Sequence, residues 1–357
     1  MAVIHFSENF IKRMMKGFNQ VAETDSLFTH ELDMEFSGVY TVHLKSVKTE
    51  PLQKYDKSKS IDSGSRYGTT TEVGDEEQTF TMTQDESLSL SIDRGNNEGQ
   101  FNMKKAGDVM NAEKEEQIVP HLDTYRLSKW AQEAGIHVQL TEAPKKTTIC
   151  QMLVDQHNDM LDKGVPDKIT LVISRKYLPM LKLSPEWVGL DSLGGKTLPK
   201  GTMGEFDGMA VKPITSKKMP ANVPWMMIYA GAVIAPMKIQ KFKGHEDPPG
   251  LSGDLLEFRM IHDAFVIGKR ANGILVACLP NTVVETPTVE MSSNNATLAS
   301  TTGSAVIKYT LDGSDPRYSK DAKTYTAPVA LKSGDKLRAY ASKEEMYNSA
   351  VMEKDWP

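Results

Sequence analysis

Between Gly189 and Thr197 the chain reads GLDSLGGKT, which has the ingredients of a phosphate-cradling loop: glycines that let backbone amides converge on an anion, then a lysine and a threonine to meet it. The spacing fails. Five residues separate Gly189 from Gly195 where such a loop needs four, no clear strand precedes, and Pro199 obstructs the helix that should follow. An ordinary loop is the better account. GTMGEFDGM from Gly201 is also glycine-rich, but its spacing matches neither the dinucleotide nor the kinase pattern, and a tight turn leading into a strand explains it. HEDPPG from His245 sets an imidazole beside two carboxylates. It has no second histidine at ligand spacing and Pro248 and Pro249 are adjacent, so it reads as a solvated turn and not as a metal site. His5, His30, His43, His121, His137, His157 and His262 form no HExxH pair, and neither a GxSxG elbow nor a CxxC pair occurs. Cys150 and Cys278 lie among apolar neighbours, in TTICQMLV and ILVACLP, and read as reduced core thiols. No pair of carboxylates is singled out for glycoside hydrolysis. The expectation is therefore a chain with no catalytic constellation, no cofactor and no metal.

Composition narrows the class. The 357 residues suffice for two or three domains, and 39% hydrophobic content with a net charge of -5 is that of an ordinary folded protein. No apolar run approaches the ~18 residues that cross a bilayer, so no membrane partner is expected. The opening MAVIHFSENFIKRMMKGFNQ is amphipathic and lacks the order of a secretion signal, which predicts that the chain is not exported by the usual route. With 42 Lys and Arg against 47 Asp and Glu, the chain lacks the electrostatic footprint of a dedicated nucleic-acid binder.

The elements that would position any function are unlike one another. Ser7 can cap a helix in which Phe10, Ile11, Met14, Met15 and Phe18 share one broad face; this is either a core helix or an arm that packs outside its own domain. From Gly38 the period becomes two. Tyr40, Val42 and Leu44, then Phe80, Met82, Leu88, Leu90 and Ile92, mark two half-buried strands. Residues 45–78 between them hold only Val47, Leu52, Tyr55, Ile61, Tyr67 and Val73 as larger apolar side chains, too few for a core. That is the pattern of an extended hairpin that gains its order from a neighbour, the alternative being a disordered surface loop. An amphipathic track then runs from Met103 to Ala134 and ends at Gly135, with a kink or break expected at Pro120. Beyond it, a helix in TTICQMLVDQHNDMLDKG, a strand in ITLVIS, a short helix in RKYLPMLK and strands in MAVKPIT, GAVIAPMKIQKF, LEFRMIHDAFVI and GILVACL alternate as in mixed helix–sheet structure. Pro280 closes this body, and TVVETPTVEM reads as a linker.

This order of segments resembles the major capsid proteins of tailed bacteriophages, of the Hong Kong phage type. The resemblance rests on MTQDESLSLSIDRGNNEGQF before the long helix, on Glu116, Pro120 and Asp123 within it, and on GVPDKITLVISRKYLPMLK, GTMGEFDGMAVKPITSKKMP and YAGAVIAPMKIQKF; it covers roughly residues 1 to 280. It implies an α+β chain with an N-arm (1–36), an E-loop (37–92), a P-domain with its spine helix (93–140), an A-domain (141–240) and P-domain return strands (241–281). It further implies a structural, non-enzymatic protein that self-assembles into hexamers and pentamers of an icosahedral virion shell, built in the bacterial host cytoplasm. Phe10, Met14, Phe18, Tyr40, Val42, Leu44, Leu52, Tyr55, Tyr67, Phe80 and Met82 are then the candidate contacts between subunits. A separate scaffolding protein, a portal and non-specific contact with packaged double-stranded DNA are the other partners expected. Some relatives join subunits through a lysine–asparagine bond; Lys45, Lys48, Lys54, Lys57 and Lys59 are ordinary solubilising residues of the arm, and no cross-link is expected.

The last segment differs from all of this. Tyr309, Thr310, Leu311, Asp312, Gly313, Ser314, Asp315 and Pro316 spell YTLDGSDP, with Tyr325, Pro328, Val329, Leu331, Leu337, Ala339, Ala341 and Ser349 following in step. Asp-Gly suits a tight hairpin turn, and Asp315 before Pro316 stops a strand. The pattern resembles the small immunoglobulin-like domain at the C-terminus of chitobiase and hexosaminidase enzymes. It implies an all-β sandwich over 282–357 that decorates the shell, with plain reinforcement or weak glycan binding as its role. The competing reading of the whole chain is a glycan-binding or glycan-active protein to which this module is accessory.

Overall fold

The computed structural model of the chain describes residues 3–4, 22–29, 34–38, 40–47, 52–58, 65–67, 72, 75–99, 106–184, 204–292 and 295–356. The helix expected after Ser7, with Phe10, Met14 and Phe18, and the Gly189–Thr197 loop lie outside them.

The body is a six-stranded mixed sheet in the order Ile136–Gln139, Ile274–Cys278, Trp225–Tyr229, Ile169–Ser174, Met209–Ile214 and Glu205–Phe206. Its strands read as continuous apolar runs because both faces are covered. Met226, Ile228, Val172, Ile274 and Val276 face one core with Leu127, Trp130 and Ala131 of the long helix. Trp225, Met227, Leu171, Ile173 and Leu275 face the other, under the helix Ile149–Asp162. The two cysteines are divided between these cores and form no disulfide, and burial pushes the Cys278 thiol up to about 12. Trp225–Tyr229 escapes a search for alternation because WMMIY has none. Glycine-rich GTMGEFDGM does form the expected tight turn: Phe206 pairs with Met209 across Asp207 and Gly208, whose φ values of 49 and 78° are those of a left-handed two-residue hairpin.

A second sheet joins Val3–Ile4, Met237–Glu246, Gly253–His262 and Gln84–Asp93. Here the structure departs from the expected boundaries. The strand of residues 84–93 is not the return limb of the hairpin but a full partner of Gly253–His262, from His262↔Gln84 to Gly253↔Asp93. Strands Ile136–Gln139 and Ile274–Cys278 lie in the body sheet, so that sheet crosses the divisions drawn at residues 140 and 241.

The long helix spans both sheets. Val119 and Leu122 pack on Leu256, Phe258 and Met260 of the second sheet, while Leu127 and Trp130 enter the body core. It does not break at Pro120. Ala106–Glu113 runs into a five-residue π-turn, Lys114–Ile118, which runs into Val119–Gln132. The Val119 amide reaches back five residues to the Lys114 carbonyl, and this wider turn makes room just where a proline ring would crowd the preceding carbonyls. At the far end, a Cβ on Gly135 would meet the Ala271 carbonyl carbon and oxygen at 2.3 Å, so the helix stops where only glycine fits against the backbone.

The C-terminal segment is a two-sheet sandwich. Thr288–Ser292, Asn295–Ala299 and Val329–Ala330 form one sheet; Lys323–Thr324, Val306–Thr310, Lys336–Ser342 and Met352–Asp355 form the other. Val329, Leu331, Leu337, Ala339 and Ala341 fill the space between. Residues 282–287 are not a free linker: Val283 is buried in the body core and its neighbour Val284 in the sandwich core. Nor is Asp-Gly a tight hairpin. Gly313, at φ 83°, and the Ser314 amide bonded to the Asp312 carboxylate at 3.0 Å open a longer excursion that leaves the sandwich and touches the body. There Arg317, held by Asp315, donates to the carbonyls of Gly135 at 2.7 Å and Ala134 at 3.3 Å. Tyr318 donates to the Glu133 carbonyl, and Asn348 to that of Gln132 at 3.3 Å. The sandwich thus satisfies the orphan carbonyls at the end of the long helix and sets a cation at its negative pole.

His137 lies in this seam, donating Nε2–H to the Ala131 carbonyl at 2.7 Å and stacked on Tyr347 at 5.7 Å. Burial pushes its pKa down from 6.5 to about 4, against the pull of the Ala131 carbonyl and with help from Arg317. Between those values the unfolded chain binds the extra proton, so the stabilisation is present above pH 6.5 and is lost as pH falls through 4. Stabilities of the wild type and His137→Phe should converge as pH falls from 6.5 to below 4, the wild type losing about 3 kcal/mol more than the variant. Parallel curves would show that the ring is not held neutral.

Candidate interaction surfaces

Two extended segments leave the body, and each is rooted on a buried aspartate. The hairpin Thr41–Val47 and Asp75–Thr81, with Met34–Ser37 alongside, pairs Val42 with Phe80 and Leu44 with Gln78. The expected period of two holds, but its buried face meets the chain's own body. Val42, Leu44 and Met82 pack with Ile234, Ile261, Phe265 and Ile267, and Phe80 stacks on Phe265 at 4.9 Å. Val42, Leu44 and Met82 are thereby withdrawn as contacts to a neighbour, since their apolar surface is already covered here. Tyr40 remains 39% exposed, with its hydroxyl donating to Asp85 at 2.9 Å. Asp85 also accepts from Arg259, and these two donors, Arg259 first, hold its carboxyl down to about 2.

The chain turns out of the hairpin at Thr83, whose amide and hydroxyl donate to Asp263 Oδ2 at 2.8 and 3.0 Å. Tyr125 of the long helix donates to Oδ1 of the same carboxylate at 2.7 Å. Towards the tip the character changes. Leu52, Tyr55 and Tyr67 are 103, 47 and 80% exposed, and the two tyrosine rings meet edge to face at 5.0 Å. The Asp56 amide donates to the Arg66 carbonyl at 2.9 Å, so the tip closes on itself while its apolar groups stay in water.

The N-terminal segment is rooted on Asp123. Its carboxylate accepts from the amides of Glu23 at 3.2 Å and Thr24 at 3.1 Å, from the Thr24 hydroxyl at 2.7 Å and from Lys218 Nζ at 3.0 Å. Leu27 and Phe28 follow into the body core, Phe28 lying 6.1 Å from Trp130. Arg126 donates to the Thr24 hydroxyl at 3.1 Å, and burial lowers its pKa as it does that of Lys212, which reaches Ser26. Asp123→Ala removes the buried counter-charge nearest Arg126 and leaves Lys218 only Glu23 at 3.5 Å, and should cost about 3 kcal/mol. Urea melts would show it, and so would faster proteolysis around residues 22–28. A variant as stable as the wild type would remove Asp123 from the root.

The Fn3 associated family matches residues 296–356. No curated protein matches the sequence. Among solved structures, the capsid of Cyanophage P-SCSP1u superposes with a TM-score of 0.52 at 11% identity, over 69% of this chain and 85% of that one. The capsid of Ralstonia phage GP4 gives 0.50 at 10% identity, over 70 and 86%. The fold is that of these capsid chains. What the sequence singled out for contact divides accordingly: Leu52, Tyr55 and Tyr67 stand exposed at the tip, Phe80 is half-buried at the root, and Val42, Leu44 and Met82 belong to the body. Of the C-terminal signature, Tyr309 packs against the sandwich core, Asp312 accepts from the Ser314 amide, Gly313 opens the excursion and Asp315 orients the docking arginine; the strand has already ended at Thr310, so Asp315 and Pro316 do not stop it as expected. Asp263 was missed. A carboxylate inside the apolar run FRMIHDAFVI was the signal that could have found it. No described helix is long and apolar enough to cross a membrane.

Proposed function

We propose that the chain is the major capsid protein of a tailed phage, assembled as hexamers and pentamers into the virion shell in the host cytoplasm. The observation that carries this reading is the pairing of a capsid fold with a hairpin whose apolar tip finds no cover on its own molecule. Leu52, Tyr55 and Tyr67 gain most if an adjoining subunit buries them, at roughly 1.5–3 kcal/mol for each large side chain. Contacts repeated around a closed ring then add up to a stable shell although each is modest. The role is structural, not catalytic, and contact with packaged DNA is sequence-independent.

The C-terminal module is an immunoglobulin-like sandwich of the kind appended to chitobiase and hexosaminidase. Its role here is reinforcement. The Asp312–Tyr318 excursion, its most distinctive loop, is turned to the body and occupied by docking bonds, which leaves that loop unavailable to a glycan.

Electron microscopy and sedimentation of the expressed full chain, alone and with a scaffolding protein, test the reading. Rings or closed particles are expected. A monomer that persists at high concentration under both conditions would overturn it.

A further inference from the structure

Glu86, His121 and His262 belong to three elements far apart in sequence, and their donor atoms lie within 4.8 Å of one another. His121 Nε2 is 2.8 Å from Glu86 Oε1, and His262 Nε2 is 3.1 Å from Glu86 Oε2. Two imidazoles thus converge on one carboxylate. Glu86 and His262 stand on adjacent paired strands, Glu86 opposite Met260 and His262 opposite Gln84, so they are diagonal neighbours. His121 comes down from the long helix. The His262 ring is 1% exposed and held edge-on by Tyr125 at 5.2 Å, and Tyr125 is itself fixed through Asp263. The cluster opens to solvent on its other side through a cleft lined by Glu113, Gln117, Ile118 and Phe258, and the His121 side chain there is 54% exposed.

We propose that this cluster binds a divalent transition-metal ion, Zn²⁺ by its donor set, and thereby staples the long helix to the second sheet. Two histidine nitrogens, one carboxylate oxygen and a water from the cleft make the four-coordinate N/O set that zinc takes, whereas magnesium and calcium prefer all-oxygen sites. The geometry is nearly made. Bonds of about 2.0–2.1 Å place tetrahedral donors about 3.3 Å apart; each imidazole is near that distance from one oxygen of Glu86, His121 from Oε1 and His262 from Oε2, and one donor atom from each of the three residues falls within 4.8 Å of the others. To share one ion the two imidazoles and a single Glu86 oxygen must draw together, and His121, whose side chain is 54% exposed, has the room to move. On binding, each neutral ring presents Nε2 to the metal and carries its proton on Nδ1. Each ring thereby exchanges its Nε2–H bond to Glu86 for a bond to the metal, and for His262 the proton moves to a buried Nδ1 that has no acceptor, a cost the metal bond must exceed.

The test uses the full chain, stripped with a chelator and titrated with Zn²⁺ by calorimetry and with Co²⁺ by visible absorption. One ion per chain is expected, with the strong bands of tetrahedral Co²⁺. Affinity should fall about tenfold or more in His121→Ala and in Glu86→Gln, and should be unchanged in His245→Ala. Zn²⁺ should also raise the melting temperature of the wild type and not that of His121→Ala. His121 is exposed, so its variant is expected to fold, and metal-free melting curves check this independently of assembly. No saturable binding in the wild type, equal competition by Mg²⁺, or an affinity that survives His121→Ala would each overturn the site. The inference does not depend on the shell reading, since it concerns one chain alone.

Discussion

Replacing Leu52, Tyr55 and Tyr67 together by serine is expected to leave the subunit folded and to abolish its association. All three side chains lie on the tip in water, and surface substitutions of that kind move stability by no more than about 0.5 kcal/mol each. The same three groups, buried against an adjoining copy, would supply about 5 kcal/mol per contact, more than about a thousandfold in association constant. Calorimetric melting should therefore stay close to the wild type while sedimentation shows only small species. A hairpin that closed onto its own body would give the opposite pattern, with a lowered melting temperature and assembly intact. Val42→Ser is the internal contrast: its side chain is enclosed by Ile234, Ile261 and Phe265, and the change should damage folding first.

The second large effect belongs to Arg317. Its guanidinium bonds Asp315 and two carbonyls at the end of the long helix, so Arg317→Ala leaves a carboxylate and two part-buried acceptors without their donor. A loss of about 3–5 kcal/mol is expected, against no more than about 0.5 kcal/mol for Glu290→Gln on an exposed strand of the same sandwich. Because Val283 and Val284 tie the two cores together, the intact chain should unfold body and sandwich in one calorimetric transition, and Arg317→Ala should split it. Two separate transitions in the wild type would mean that the sandwich hangs free.

The sequence was most informative where one face is wet. Alternation revealed Thr41–Val47, and helical spacing revealed Ile149–Asp162, because in both cases the polar half of the pattern is visible beside the apolar half. Trp225–Tyr229 stayed hidden because burial on both faces erases that contrast. The hairpin and the strand after it share one even-numbered phase, and only the bonds of Thr83 to Asp263, made by residues 180 apart, separate them into two sheets. The same distance in sequence conceals Glu86, His121 and His262, since spacing rules for metal ligands see only local pairs. Pro120 marked the right place in the long helix, and of the kink or break expected there the break does not occur: widening a turn costs less than breaking a helix that both sheets hold. The docking of the C-terminal module was invisible in YTLDGSDP because the signature specifies a turn, and Arg317 and Tyr318, which make the attachment, lie just beyond it.

Asp123 and Tyr125 are two residues apart, about 200° around the helix axis, and between them they hold the N-terminal segment and, through Asp263, the hairpin. Tension on either limb is thus delivered to one turn of a single rod from opposite sides.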